Sequence, residues 1–425
     1  MLFICIITAV TLVGCNSSNE PIPQYYVGLD RSFNAPLGYA LFNPGPEFTS
    51  RGVETALQSD GRIIVLGSTV NGMDDDLLLV RYTREGQVDT SFGTNGSVRY
   101  GDYDRDRGLG LAIMPADNSI IVAGYITVQG SRELLVVKFT ADGRFVRDLL
   151  YSDLGTDIGF GITVTPDQKI VVIGESSSSL SKKQDLLLLQ MDSNLQLDPD
   201  FGLQGVVHYN GSANENEKGF AVAAQPDGKL VACGAVVVSG KEDMLVLRLK
   251  QDGSLDTSFA ANGSFIWSSP ADRADYANNL ALQPDGRIVV AGAAGTADGY
   301  RIVTLRLHSD GTLDNSFGQG GVLSFTGLTG SYAYPYGVAV QPDGRIVLAG
   351  SSTGSTGGKH AVVLRSTADG LWDVTFGAGG VMVFDSSTGG DTVANGLTLQ
   401  PDQAILVTGY HSSGQSDHVL TYRLK

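Results

Sequence analysis

The chain is poor in cysteine, in tryptophan and in positive charge, and it has no long amphipathic helical pattern. Each shortage excludes something. Its three cysteines, Cys5, Cys15 and Cys233, offer no disulfide framework. Cys233 lies in the strand-like run Lys229-Leu230-Val231-Ala232-Cys233-Gly234, with nothing electropositive beside it, so it reads as a small buried apolar residue. Lys and Arg number 29 against 45 Asp and Glu, a formal net charge of −16. Phosphate backbones are repelled by such a chain, and no basic cluster with interleaved aromatics offsets it, so no nucleic-acid partner is expected. Past the leader, the apolar segments are short and rich in Val, Ile and Leu, as buried strands are.

Glycine, by contrast, is abundant. Fifty-five glycines, many in Asp-Gly and Asn-Gly pairs, point to many tight turns. Residues 1–14, MLFICIITAVTLVG, are uncharged and apolar. They are too short to span a bilayer, which takes about 20 helical residues, but they suit the core of an export signal. The run ends in Leu12-Val13-Gly14-Cys15, followed by a polar Ser/Asn/Pro stretch. This tetrapeptide resembles the lipobox of bacterial lipoproteins, although no Lys or Arg precedes the apolar run. The resemblance implies acylation of Cys15, a flexible tether over 15–26 and anchoring in the bilayer by several acyl chains. Asn16 after the cysteine resembles the pattern of outer-membrane delivery.

An internal repeat dominates the rest. The phrase Gln-Pro-Asp-Gly-Arg-Ile-Val-Val-Ala-Gly stands at Gln283–Gly292 and, with one change, at Gln341–Gly350. Related copies place the turn aspartate at 60, 117, 167, 227, 285, 343 and 402. After each turn come a strand, a variable loop, a second strand, another turn, the phrase Leu-Asp-x-Ser-Phe-Gly and a last short strand. With the strand before the turn, each unit has four strands. Such a sheet cannot bury both faces alone, whereas radial stacking buries them and leaves short edges. The seventh copy stops at Lys425 without its Leu-Asp-x-Ser-Phe phrase, and the missing pieces stand at the other end, Leu29–Phe33 and Leu37–Phe42. The expected fold is therefore all-β: a seven-bladed β-propeller of four-stranded antiparallel blades over 27–425, closed by the N-terminal strand completing the last blade.

The two motifs at fixed phase resemble the delta-60 repeat family, exported bacterial β-propeller proteins. The resemblance covers residues 27–425 and implies a fold without an activity. Copy two departs from it, because Asp142-Gly143-Arg144 leads into Phe145 with no Ser-Phe-Gly, so blades two and three are expected to pack atypically.

The turn aspartates look like a carboxylate array, but Pro fixes φ, Asp bonds its own backbone two residues on and Gly accepts φ > 0, which is turn chemistry. Phe33, Phe92, Phe201, Phe259, Phe317 and Phe376 recur once per unit, as plugs between blades would. The connections into each inner strand vary more. They hold Tyr100, Asp102, Tyr103, Asp104 and Asp106 in one copy, Trp267, Asp272 and Asp275 in another, and Tyr332, Tyr334 and Tyr336 in a third. Five acids, Asp106, Asp157, Glu217, Asp275 and Asp391, stand at nearly one register. They are expected either to line the channel mouth, favouring cationic or polyhydroxyl ligands or a Ca²⁺ ion, or to cap the inner strands through local backbone bonds. No catalytic motif holds. Gly350-Ser351-Ser352-Thr353-Gly354 lacks the helix of a nucleophile elbow, Gly354–His360 falls short of a phosphate loop, and His208, His308, His360, His411 and His418 are dispersed and read as solvated loop residues. The expected function is a non-enzymatic binding or scaffolding module for a protein or glycan ligand, monomeric and without cofactor. A hydrolase or lyase acting on polysaccharide or peptide at the channel mouth is the alternative.

Overall fold

The computed structural model describes residues 28–425 except 73, 102–104, 154, 179–182, 212–215, 329–331, 355–356, 385–389 and 415. The leader 1–14, Cys15 with the tether 15–26, and Asp102, Tyr103 and Asp104 lie outside the described residues.

The repeat phrase folds as its turn chemistry dictates. In the fifth unit, Asp275–Leu282 runs to the Pro-Asp-Gly turn, Ile288–Gly295 returns, and Tyr300–Leu307 and Val322–Phe325 complete a four-stranded antiparallel meander. At the turn, the Asp285 carboxylate accepts the Arg287 N–H at 3.1 Å, and Gly286 has φ +84°. Asp60, Asp117, Asp227, Asp343 and Asp402 accept the N–H two residues on in the same way. These carboxylates close turns.

Seven such sheets form the ring. Inner strands begin at Thr49, Asp106, Gly155, Glu217, Asp275, Ala333 and Thr392, heading blades one to seven. The apolar alternation of the second and third strands feeds seven separate hydrophobic clusters, each shared by two adjacent blades. Burial of this kind is worth about 1.5–3 kcal/mol per large aliphatic side chain, so each blade draws part of its stability from its neighbours.

The predicted plugs Phe33, Phe92, Phe201, Phe259, Phe317 and Phe376 are all buried. Their Leu-Asp-x-Ser-Phe phrase does more than the sequence suggests. The Arg306 guanidinium donates from Nε to Asp314 at 2.7 Å, lies 4.7 Å from the Phe317 ring centre and donates from Nη1 to the Ala368 carbonyl on the next blade. Arg81 and Arg248 repeat the arrangement with Ala141 and Ser309 as the next-blade acceptors, and Arg423 pairs with Asp30 through Nη2 while Nη1 donates to the Arg84 carbonyl. Blade two, the deviant copy, has Lys138 at this position, bonded to the Ser193 carbonyl at 2.9 Å. Its outer strand is Phe145–Tyr151, longer than the four-residue outer strands elsewhere, with Phe145 stacked on Tyr100 of blade one at 5.7 Å.

Ring closure follows the sequence expectation. Tyr39–Phe42 pairs with Asp417–Leu424, in register Tyr39↔Tyr422 and Phe42↔Val419, and Leu29 bridges Leu424. The histidines depart from it. His360 and His411 are buried within strands, and the His411 ring meets the hydroxyl of its register partner Thr392 at 3.4 Å. Cys233 is fully buried and its thiol is pushed up by desolvation, as an apolar core residue should be.

Candidate ligand-binding channel

The propeller has two unlike faces. One carries the Pro-Asp-Gly turns and the Leu-Asp-x-Ser-Phe phrases, whose aspartates are engaged in the turn and Arg bonds above. The other carries the hairpins between second and third strands and the connections into each inner strand. The five acids singled out by register stand on this second face, each on its own blade.

Asp106, Asp157, Glu217 and Asp275 are completely buried. Asp157 accepts the Asp153 N–H at 2.8 Å, Glu217 the Gly211 N–H at 3.1 Å, and Asp275 the N–H groups of Ser269 and Gly295 at 2.5 and 3.0 Å. Asp391 accepts the Lys359 N–H on the neighbouring blade at 2.8 Å. Desolvation pushes the carboxyls of Asp157 and Asp275 up, opposed by these bonds. Asp157, Glu217 and Asp275 thus hold N–H groups of the connection leading into their own strand, whereas Asp391 reaches the preceding blade. Among the described residues, no group of three or more His, Cys, Asp or Glu side chains could hold a metal ion.

The channel itself is built by a feature the sequence reading missed. Every inner strand carries a β-bulge at the same place, between Gly52 and Glu54, Gly108 and Gly110, Gly159 and Gly161, Gly219 and Ala221, Ala277 and Asn279, Pro335 and Gly337, and Ala394 and Gly396. A bulge leaves one residue outside the ladder and turns its side chain. The seven extra residues line a single axial cavity of about 390 Å³. Blades one to four supply Val53, Leu109, Phe160 and Phe220, and blades five to seven supply Asn278, Tyr336 and Asn395. The collar is therefore apolar on one side and polar on the other, with Phe160 and Phe220 edge to face at 5.7 Å.

Side chains of the polar side also stitch the blades together. Asn279 donates to the Tyr336 carbonyl at 2.9 Å and Asn395 to the Gly52 carbonyl at 2.7 Å. Glu54 accepts N–H bonds from Thr55 and from Leu397 of blade seven. Desolvation outweighs those bonds and pushes its carboxyl up to about 7.

From the collar a wall of tyrosines runs to the mouth. Tyr336 meets Tyr334 at 5.6 Å, Tyr334 meets Tyr300 at 5.7 Å, and Tyr300 meets both Tyr276 and the exposed Tyr332. The Tyr276 hydroxyl donates to Glu242. Three charge pairs stand around the rim: Arg51 with Asp417 at 2.5 Å, Arg107 with Asp75, and Lys218 with Glu242 at 3.4 Å. Tyr332, Tyr334 and Tyr336 were visible in sequence as a variable connection, whereas Tyr276 and Tyr300 join them only through sheet register. The signal that would have found the bulges is the glycine ending each Val-Ala-Gly phrase, since an isolated strand glycine marks a bulge or close approach.

A model of the family described as a domain of unknown function (DUF5122) beta-propeller matches residues 58–92, 116–145, 225–259, 283–317 and 341–376. Most of these segments end on a plug phenylalanine. No curated protein matches the chain. Among solved structures, a puromycin hydrolase is similar with TM-score 0.51 and 12% identity over 85% of this chain, which spans 50% of that protein. The polysaccharide lyase Uly1 has TM-score 0.49 and 9% identity over 95% of this chain and 94% of its own. The GH93 alpha-L-arabinofuranosidase of Fusarium graminearum has TM-score 0.44 and 12% identity over 94% of this chain and 98% of its own. At such identities the likeness concerns fold alone. Repeats, ring and family matches together make this chain a β-propeller repeat protein.

Proposed function

We propose that the propeller is a non-enzymatic binding module of the bacterial envelope, held at the membrane through acylated Cys15 and presenting its hairpin-and-connection face to a protein or glycan ligand. The observation that carries this reading is the contrast between the two faces. One repeats the same Pro-Asp-Gly turn around the ring, while the other changes residue from blade to blade around an open cavity lined in part by aromatic rings. Binding sites are concave and combine apolar or aromatic walls with placed polar groups, and this cavity combines Phe160, Phe220 and Tyr336 with Asn278, Asn279 and Asn395.

The lipobox-like Leu12–Cys15 supports the anchor, and the outer membrane is the favoured destination on the strength of Asn16. Two or more acyl chains give stable attachment where one is marginal. We expect Cys15→Ser to move the protein from the membrane to the soluble fraction. Continued membrane partitioning would remove the lipid assignment. Crosslinking of whole envelopes and a glycan array, both with the full chain, test the binding role, and an array positive without release of new reducing ends separates binding from turnover.

A further inference from the structure

We propose that the axial collar and its tyrosine wall form one continuous site for an uncharged oligosaccharide, with one sugar residue in the collar and the next ones along Tyr334, Tyr300 and Tyr332. This rests on the binding-module reading and names its ligand class.

The chemistry of the walls is that of a pyranose. Sugar rings have apolar C–H faces and a rim of hydroxyls. The collar opposes aromatic rings, Phe160 and Phe220 on one side and Tyr336 on the other, to the carboxamides of Asn278, Asn279 and Asn395. Its volume of about 390 Å³ lies at the small end of ligand pockets, roughly 300–1,000 Å³. One polar group there is unspent. The Asn278 side chain bonds the Tyr334 hydroxyl, but its buried carboxamide oxygen has no partner among the described residues. An unsatisfied buried acceptor is costly, and a rotation of the carboxamide toward the cavity would let a ligand hydroxyl satisfy it.

Charge argues for a neutral ligand. Among the described residues, Glu54 is the one carboxylate on the collar wall, and it already accepts the Thr55 and Leu397 N–H groups. No described Lys or Arg lines the collar to receive a carboxylate or sulfate, and Lys218 beside the tyrosine wall is paired with Glu242. The tyrosine wall adds length, because stepping from Tyr336 through Tyr334 and Tyr300 to Tyr332 carries aromatic surface out to the rim. Aromatic side chains offer an apolar face with a polar tip, which suits sugars presenting both.

The test is saturation-transfer NMR with the full chain and a panel of uncharged hexaoses, α-1,4-, β-1,4- and β-1,3-linked glucans and a β-1,4-mannan, beside oligo-uronates of matching length. Binding of at least one neutral hexaose is expected. It should weaken about tenfold both in Asn278→Leu and in Tyr332→Ala, the latter at an exposed position that leaves melting unchanged. No neutral binder, stronger binding of the uronates, or binding indifferent to both substitutions would overturn the inference. A photo-crosslinker at position 332 keeps the two claims apart: capture of an envelope protein there, with no sugar bound, retains the binding module and removes the oligosaccharide.

Discussion

At the scale of single residues, Glu54 is the group whose chemistry departs most from its surroundings. Its carboxyl sits on the channel wall at the joint between blades one and seven, with its ordinary value of 4.5 pushed up to about 7 by desolvation. An acid held above its unfolded value costs the folded state when it ionises. The penalty is absent below about pH 4.5, grows as pH rises, and is complete above about 7. Glu54→Gln should therefore melt progressively higher than the wild type as pH rises through that window, with the difference vanishing at pH 4. A constant difference across pH, read by thermal unfolding, would show that the carboxyl stays solvated. Asp314 shows the opposite behaviour. Burial works against its charge, but hydrogen bonds from Ser316 and the Arg306 guanidinium hold it at about 2. The stability that pair contributes is present above the ordinary carboxylate range and is lost only as pH falls toward 2.

At the scale of the element, the inner strand and its bulge explain the glycine that stands in the second strand of every blade at the register shift. A Cβ on Gly124 would lie 1.8 Å from the Arg107 carbonyl oxygen, and the equivalent positions Gly174, Gly234 and Gly409 show the same distance to their own inner-strand carbonyls. The bulge draws the two backbones too close for a side chain. Gly124→Ala should cost about 1–3 kcal/mol, the usual range for forced overpacking, or more if the bulge collapses. Chemical denaturation measures it, and an unaltered midpoint would mean the strand pair opens at no cost. Blade two shows what happens when an element loses its motif. Without Ser-Phe-Gly the turn shortens, the outer strand lengthens to Phe145–Tyr151, and its Phe145 packs outward against Tyr100 of blade one rather than plugging the next interface. The atypical packing expected between blades two and three is therefore found there, where the shared cluster is filled by Met114, Met191 and Leu195 without a plug phenylalanine, and the displaced Phe145 adds a contact to blade one.

At the scale of the whole molecule, stability is a property of the closed ring. Each apolar cluster belongs to two blades, and the cluster joining blades seven and one contains Phe33 and Ala40 from the chain start with Leu406 and Val419 from its end. Deleting residues 28–42 removes the outer strand of blade seven, the Arg423–Asp30 pair and one interface plug together. We expect a broad, early melting transition by circular dichroism in place of one cooperative step. A melting curve indistinguishable from the full chain would mean the circle needs no such clasp.

Blade number, strand order, turn chemistry, plug phenylalanines and the shared last blade were all legible in the linear sequence. Each is a local pattern or a repeat, and local backbone preferences together with a fixed period suffice to specify them. The chain alone could not decide what the five register acids do, because burial and bond partners, not spacing, separate a cap from a ligand. Nor could it show the collar. Val53, Leu109, Phe160, Phe220, Asn278, Tyr336 and Asn395 are far apart in sequence and unlike in chemistry, so no motif links them. Only seven equivalent bulges closing around one axis bring them face to face, and the tertiary structure decided this because geometry, not residue type, selects which side chain turns inward.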